Sequence, residues 1–266
     1  MAADLDSARE TLLAELREQA GRFGVEPRDC RVQSLQREGE GFIARLAGAD
    51  CRGDADAAAA YAPAPSTLAA RRVILATGVL DGLPPLDGCE AAIRAGVVRL
   101  CAICDGYETA GRRVAVYGPP AKVAGHARYM RTYCEDVSAL VADGHLEPGE
   151  RAKLEALGIR VLEGCAELVW DGRREVRVTC ASGEDAGFDV FYPVLGARSQ
   201  SQLAVALGAE CTKEGDLVVD DHQRTSVPGL YAIGDVVSAL NQISVGYGHA
   251  AIAATDVHNE LSLRPL

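Results

Sequence analysis

The sequence predicts an α/β protein in which one unit is nested inside another, and three observations carry that expectation. Strand and helix patterns alternate from Arg112 to about Asp220, as a parallel sheet with helical crossovers requires. A β-rich stretch precedes this region and a strand–turn–helix stretch follows it, so both ends of the chain read as parts of one outer unit. A length of 266 residues, 48% apolar and 24% charged, suits a globular protein with one large domain or two small ones.

The elements follow in order. "MAADLDSARETLLAELREQ" reads as an acidic amphipathic helix. "DCRVQSLQREGEGFIARLAG" alternates and reads as two strands joined at Gly39–Gly41. Gly39, Gly41 and Ala44 form a literal G-x-G-x-x-A, but it lies between two strand patterns and not between a strand and a helix, so it is not a dinucleotide loop. The Ala- and Pro-rich stretch from Ala49 to Ala70 is expected to be an exposed loop. "RRVILATG" predicts a strand, Val73 to Ala76, closed by a Thr77–Gly78 turn, and "DGLPPLDG" a rigid proline-bearing loop. The inner region predicts a strand from Val114 to Tyr117 ending at Gly118, then a helix in "AKVAGHARYMRTYC". A strand in "DVSALVA", a helix in "EPGERAKLEALG" and a strand in "IRVLEG" continue it. "AELVW" and "REVRVTC" form a hairpin around Asp171–Gly172, and "DVFYPVLG" ends the unit. The C-terminal segment predicts a short strand, Leu230 to Ile233, a Gly234–Asp235 turn, a loop and a final helix.

The net charge of −11 leaves no basic face for nucleic acid or an anionic membrane. The N-terminus lacks the basic and apolar regions of a signal peptide, and no run of about 18 apolar residues exists, so the expected address is the cytoplasm. Nine cysteines in that compartment are not expected to form a disulfide framework. Seven of them (Cys30, Cys51, Cys89, Cys134, Cys165, Cys180 and Cys211) sit singly and are expected to be small buried hydrophobes.

Only Cys101 and Cys104 are close in sequence, within "LCAICDG". They could be a redox pair, half of a zinc site, or two small core residues. A zinc site needs four ligands, yet no second C-x-x-C accompanies them, and the five histidines (His126, His145, His222, His249 and His258) show no ligand spacing, so no metal is expected. A redox pair needs two sulfurs within bonding reach, a lowered thiol pKa and a nearby proton donor and acceptor. Asp105, directly after Cys104, is placed to serve.

"GVVRLCAICDG" resembles the active-site segment of the low-molecular-weight thioredoxin reductases, within the pyridine nucleotide-disulfide oxidoreductases. "RRVILATG" resembles the strand and turn closing their flavin domain, and "PGLYAIGDV" and "NQISVGYGHAAIAA" resemble their flavin loop and final helix. The order and spacing of all four match, from about Leu12 to Asn259. The resemblance implies a two-domain, FAD/NAD(P)-binding Rossmann-like fold. Residues 1–111 and 221–266 would be the FAD-binding segments, and residues 112–220 the NAD(P)-binding-like domain. It implies that Cys104 faces the flavin, that Cys101 exchanges with the substrate disulfide and that Asp105 is the acid/base. It also places Thr77, Gly78, Gly234, Asp235, Gln242 and Ile243 around the FAD, and Gly118 at the nucleotide. A helix N-terminus at Gln242–Ile243 would also favour the negative charge of a reduced flavin on physical grounds.

Two departures from the family pattern matter. Its opening strand and G-x-G-x-x-G loop for the FAD pyrophosphate have no counterpart here, so the sequence is expected to be N-terminally truncated, with the first FAD-binding βα unit missing and FAD held weakly or lost. In the inner unit "GPPAKVAGHA" keeps Gly118 but places Pro120 at the second glycine and Val123 at the small third residue, and no basic cluster for a 2′-phosphate follows "DVSALVA". NAD(P)H use is therefore in question; Asp143 would suit a ribose diol. The expected function is a flavin-dependent disulfide oxidoreductase acting on a thioredoxin-like protein or a small-molecule disulfide, as a homodimer by family habit. The alternative is a partner-binding remnant that has lost its cofactors.

Overall fold

The computed structural model describes residues 3–25, 27–47, 67–237 and 240–261, with side chains from residue 11 onward. In chain order the elements are α1 (Ala3–Arg22), β1 (Arg31–Glu38), β2 (Gly41–Ala47), β3 (Thr67–Ala70), β4 (Val73–Leu75), β5 (Val79–Asp81), α2 (Cys89–Arg94) and α3 (Ala102–Asp105). A 3₁₀ turn, Gly106–Thr109, leads to β6 (Val114–Gly118), α4 (Pro120–Met130), β7 (Val137–Val141), α5 (Pro148–Ala156), β8 (Arg160–Glu163), β9 (Cys165–Trp170), β10 (Val176–Cys180), β11 (Asp185–Phe188) and β12 (Val190–Pro193). The chain closes with β13 (Ala197–Ser199), α6 (Gln202–Val205), β14 (Leu230–Ala232), a 3₁₀ turn at Gly234–Val236 and α7 (Ile243–Glu260).

Two compact units result: Met1–Ala14 with Asp81–Ala197, and Glu15–Leu80 with Arg198–Leu266. The first is built on a parallel sheet in the order β12-β6-β7-β8. Its strands are apolar on both faces because both faces are covered. Val114 and Val116 of β6 pack with Val123, Ala127 and Met130 of α4 and Leu154 of α5. The alternate residues Ala115 and Tyr117 pack with Leu168, Val178 and Phe188 of an antiparallel sheet, β11-β10-β9. The burial of each such large side chain contributes roughly 1.5–3 kcal/mol.

The second unit pairs β14 with β4 in parallel and carries the antiparallel sheet β1-β2-β3. Phe42, Leu75, Leu217 and Leu230 form its core. The final helix is tied down by charge. Asp256 of α7 takes two hydrogen bonds of 2.6 Å from Arg224, and one of 2.7 Å from the buried Tyr231 hydroxyl on β14. The Asp256 carboxyl is held below the usual carboxylate range, first by Arg224 and then by Tyr231.

The sequence expectations differ from the structure at several places, among them Cys30, Cys89 and Cys211, which are half-buried and not buried. The short strands β3, β5, β11 and β13 were not expected. In β11, Ala186 and Phe188 point inward while Asp185 and Gly187 do not, and so small an inward set leaves no readable alternation. Most of the expected Ala49–Ala70 loop, Cys51 included, lies outside the described residues; its last four form β3, paired with β2. Another difference concerns Cys165 and Cys180. They are buried, as expected, but they are not single. The β9–β10 pairing sets them opposite each other, and they form a disulfide.

Candidate active site

The dithiol turn begins on the edge of the parallel sheet. Val98 bridges Phe191 of β12, the Arg99 N–H donates to the Phe191 carbonyl at 2.9 Å, and the Phe191 N–H donates to Val97 at 2.8 Å. The chain therefore enters the turn on a fixed strand. Cys101 is extended (φ −135°) and α3 is a single turn, so the Cys104 N–H reaches the Cys101 carbonyl at 3.0 Å. The two Cα atoms lie 5.3 Å apart and the sulfurs form a disulfide. The exit is equally constrained. A Cβ on Gly106 would stand 3.3 Å from the Tyr133 ring and 3.4 Å from the Met130 sulfur, so only glycine passes without displacing them. The Thr109 hydroxyl then donates to the Gly106 carbonyl at 2.7 Å. Cys104 is exposed and Cys101 half-buried; Ile103 and Tyr107 flank them, 61% and 69% exposed.

Asp105 sits inside this turn with both oxygens engaged. Oδ1 accepts from the Tyr192 hydroxyl at 2.6 Å, and Oδ2 lies 3.6 Å from Arg99 Nη1. Arg99 is almost fully buried, 4% exposed, and the same Nη1 reaches Glu108 Oε2 at 3.2 Å. A buried guanidinium is tolerable only when paired in this way. Burial, then the hydrogen bond to Asp105, pushes the Tyr192 hydroxyl well above the ordinary phenol range, so it remains a donor. Arg99, Glu108 and Tyr192 were not singled out from the sequence. The signal for Arg99 was available: an arginine inside the apolar run "GVVRL" must find a partner.

The residues matched to flavin contacts gather in the second unit at the carboxyl ends of β4 and β14. The Ile233 N–H donates to the Leu75 carbonyl at 2.9 Å, which brings the Thr77–Gly78 and Gly234–Asp235 turns side by side. The Thr77 hydroxyl donates to the Gln200 carbonyl at 2.7 Å and the Gln200 amide donates back to Thr77 at 2.7 Å, so Thr77 clasps its own chain. Gly78 and Gly234 have φ of +65° and +69°, and a Cβ on either would meet nothing within 4 Å. The α7 helix packs on the second turn. The Gly234 N–H donates to His249 Nδ1 at 3.3 Å, and Gly246 faces Gly234. Gln242 caps α7 in an extended conformation, and Ile243 is 62% exposed. Two open glycine turns beside the N-terminus of an 18-residue helix fit an electron-rich ring system such as the flavin end of FAD.

The inner crevice is built differently. In a doubly wound sheet a dinucleotide sits outside the carboxyl ends of the strands, with its phosphates on N–H groups at a helix N-terminus. Here Pro119 and Pro120 open α4 without N–H groups, and the N–H groups of Lys122 and Val123 donate to the Pro119 carbonyl. A Cβ on Gly118 would meet Val194 at 2.8 Å, Val123 is fully buried, and the Pro120 ring lies close to Gly144. Asp143 lies beside Tyr117, whose hydroxyl is raised by burial and then by the Asp143 charge. These residues do not supply the donor array a pyrophosphate needs. Among the described residues no group of three His, Cys, Asp or Glu side chains could hold a metal ion, and no helix is long and apolar enough to cross a membrane.

Comparison with known proteins places this geometry in context. The family model described as pyridine nucleotide-disulphide oxidoreductase matches residues 54–254. The thioredoxin reductase of Helicobacter pylori is 27% identical over 90% of this chain and 76% of its own length. That of Listeria innocua is 28% identical over 70% of this chain, and the match spans 61% of its own length. Among solved structures, HlmI superposes with a TM-score of 0.79 at 28% identity, over 94% of this chain and 75% of that one.

Proposed function

The chain belongs to the pyridine nucleotide-disulphide oxidoreductase family, and from that premise we propose that it is a flavin-dependent oxidoreductase working through the Cys101–Cys104 disulfide. The observation that carries the proposal is the pair itself: a disulfide between half-buried Cys101 and exposed Cys104 across a one-turn helix, followed at once by an anchored carboxylate. The substrate class is a disulfide on a thioredoxin-like protein or a small molecule, met in the cytoplasm; a homodimer is the expected assembly.

The division of labour follows the two units. Gly78, Gly234, Asp235, Gln242 and Ile243 would hold the flavin end of FAD. FAD would supply a two-electron carrier. The chain's own residues do the rest. Reduction of the disulfide leaves two thiols, Asp105 takes the proton of one, and the Cys101 thiolate attacks a substrate sulfur. A mixed disulfide forms and one substrate thiol leaves. Cys104 then attacks Cys101, the second substrate thiol leaves, and the intrachain disulfide returns. The two prolines at the start of α4 and the buried Val123 support a further element: the electron donor is not a pyridine nucleotide bound at Gly118.

Purified protein supplied with FAD should be yellow, and its reduced dithiol should exchange with an added aromatic disulfide. A colourless protein whose dithiol never exchanges would overturn the proposal and leave the partner-binding remnant in its place. NADPH and NADH should each fail to show saturable binding by calorimetry. Micromolar binding of either would restore the nucleotide route.

A further inference from the structure

The Asp105 carboxylate is more firmly held than an acid/base beside a dithiol needs to be for fold alone. Its two oxygens face two groups from different parts of the first unit. Tyr192 comes from β12, 87 residues away, and Arg99 from the strand-like entry segment. Arg99 is itself immobilised: Nε donates to the Gly96 carbonyl at 3.1 Å and Nη1 to the Asp105 carbonyl at 3.3 Å. Glu108 of the 3₁₀ turn draws on the same Nη1 at 3.2 Å. Tyr133, three residues past the end of α4, lies against Gly106 at the exit of the turn. One buried positive charge thus serves two carboxylates, and the side-chain exposures are 3% for Arg99, 14% for Asp105 and 17% for Glu108.

We propose that Tyr192 and Arg99 are positioning residues that hold Asp105 as the base for the dithiol, with Glu108 limiting how much of the Arg99 charge Asp105 receives. This rests on the redox reading of Cys101–Cys104. The proton path balances within the chain. A cysteine S–H gives its proton to the Asp105 carboxylate, and the thiolate so formed attacks a substrate disulfide. One S–S bond forms as one breaks, the two electrons of the dithiol pass to the substrate, and the protons leave on the two substrate thiols. The Tyr192 hydroxyl weakens Asp105 as a base by hydrogen-bonding its anion, and Arg99 does so by charge. Together they let Asp105 release the proton again.

The test needs neither flavin nor substrate. The disulfide is reduced with a phosphine, the phosphine is removed, and the rate of iodoacetamide alkylation at Cys101 and Cys104 is followed against pH by mass spectrometry. Tyr192→Phe removes one hydrogen-bond donor from the Asp105 anion, leaves more negative charge facing the thiol and so favours its S–H form, and should move the midpoint up by about half a pH unit or more. Glu108→Gln returns the whole Arg99 charge to Asp105 and should move it down. Both shifts should shrink by at least about half when made in an Asp105→Asn chain, because the effect acts through that carboxylate. Shifts of equal size in both backgrounds, or none in either, overturn the inference. Should Tyr192→Phe melt at a much lower temperature, Glu108→Gln with its Asp105→Asn partner decides alone. Failure of flavin binding sinks the proposed function and leaves this pattern standing; loss of the pattern in a yellow, exchanging protein sinks only the inference.

Discussion

The first unit holds two disulfides that have the same bond and opposite surroundings. Cys101–Cys104 spans 3 residues on an exposed one-turn helix, next to a carboxylate with two partners. Cys165–Cys180 spans 15 residues, joins neighbouring antiparallel strands, and is buried among Leu168, Val176 and Val178. Thiol–disulfide exchange needs an approach path for a second sulfur and a place for a proton. The turn offers the first at exposed Cys104, and under the proposed function Asp105 offers the second. The strand pair has neither, and its effect is to close a loop in the unfolded chain. Two cysteines within bonding distance therefore do not define a redox site; access and proton handling do.

The largest effect that separates the two pairs is on turnover. Cys104→Ser should reduce disulfide reduction by about a thousandfold or more, as loss of a covalent participant does, whereas Cys180→Ser should leave turnover at the wild-type level in folded protein. Cys101→Ser should stop turnover yet leave the spectrum of any bound flavin unchanged. Asp105→Asn comes next: removal of a general acid/base costs about 10²–10⁴-fold in rate, with both disulfides intact by mass spectrometry. On stability the order reverses. Replacement of Cys165 and Cys180 together by Ala should cost about 3 kcal/mol in denaturant unfolding, the value for a loop of roughly 15 residues, while Cys101→Ser should cost much less. The gentlest comparison is chemical: a phosphine at neutral pH should open Cys101–Cys104 while Cys165–Cys180 stays closed until the protein is unfolded. Simultaneous reduction would break the contrast.

How legible each feature was in the sequence follows from the range of the interactions that make it. The β6–α4–β7–α5–β8 alternation was readable because each strand is a fully buried apolar run and each helix opens with a proline or follows a glycine, which are local signals. The cysteine spacing and the acid after it were readable for the same reason. β11 was not, since Ala186 and Gly187 carry too little side chain to show a period. Cys165–Cys180 was not, since the pairing appears only once β9 and β10 are in register. Tyr192 was out of reach for a related reason: its hydrogen bond to Asp105 spans 87 residues, and only the parallel sheet carries it there. In the crevice the sequence was informative where it departs from pattern. Pro120 stands where a glycine would and Val123 where a small residue would, and Val123 on the inner face of α4 is buried in the core.

An anaerobic reductive titration of the FAD-loaded chain tests the central claim most directly, because it counts the electrons that reach the cysteines. The account predicts four electrons per bound flavin, two for the flavin and two for Cys101–Cys104, falling to two in Cys104→Ser. Two electrons in the wild-type chain would show that the exposed pair takes no part. Six would draw the buried pair into the path and contradict the distinction between them.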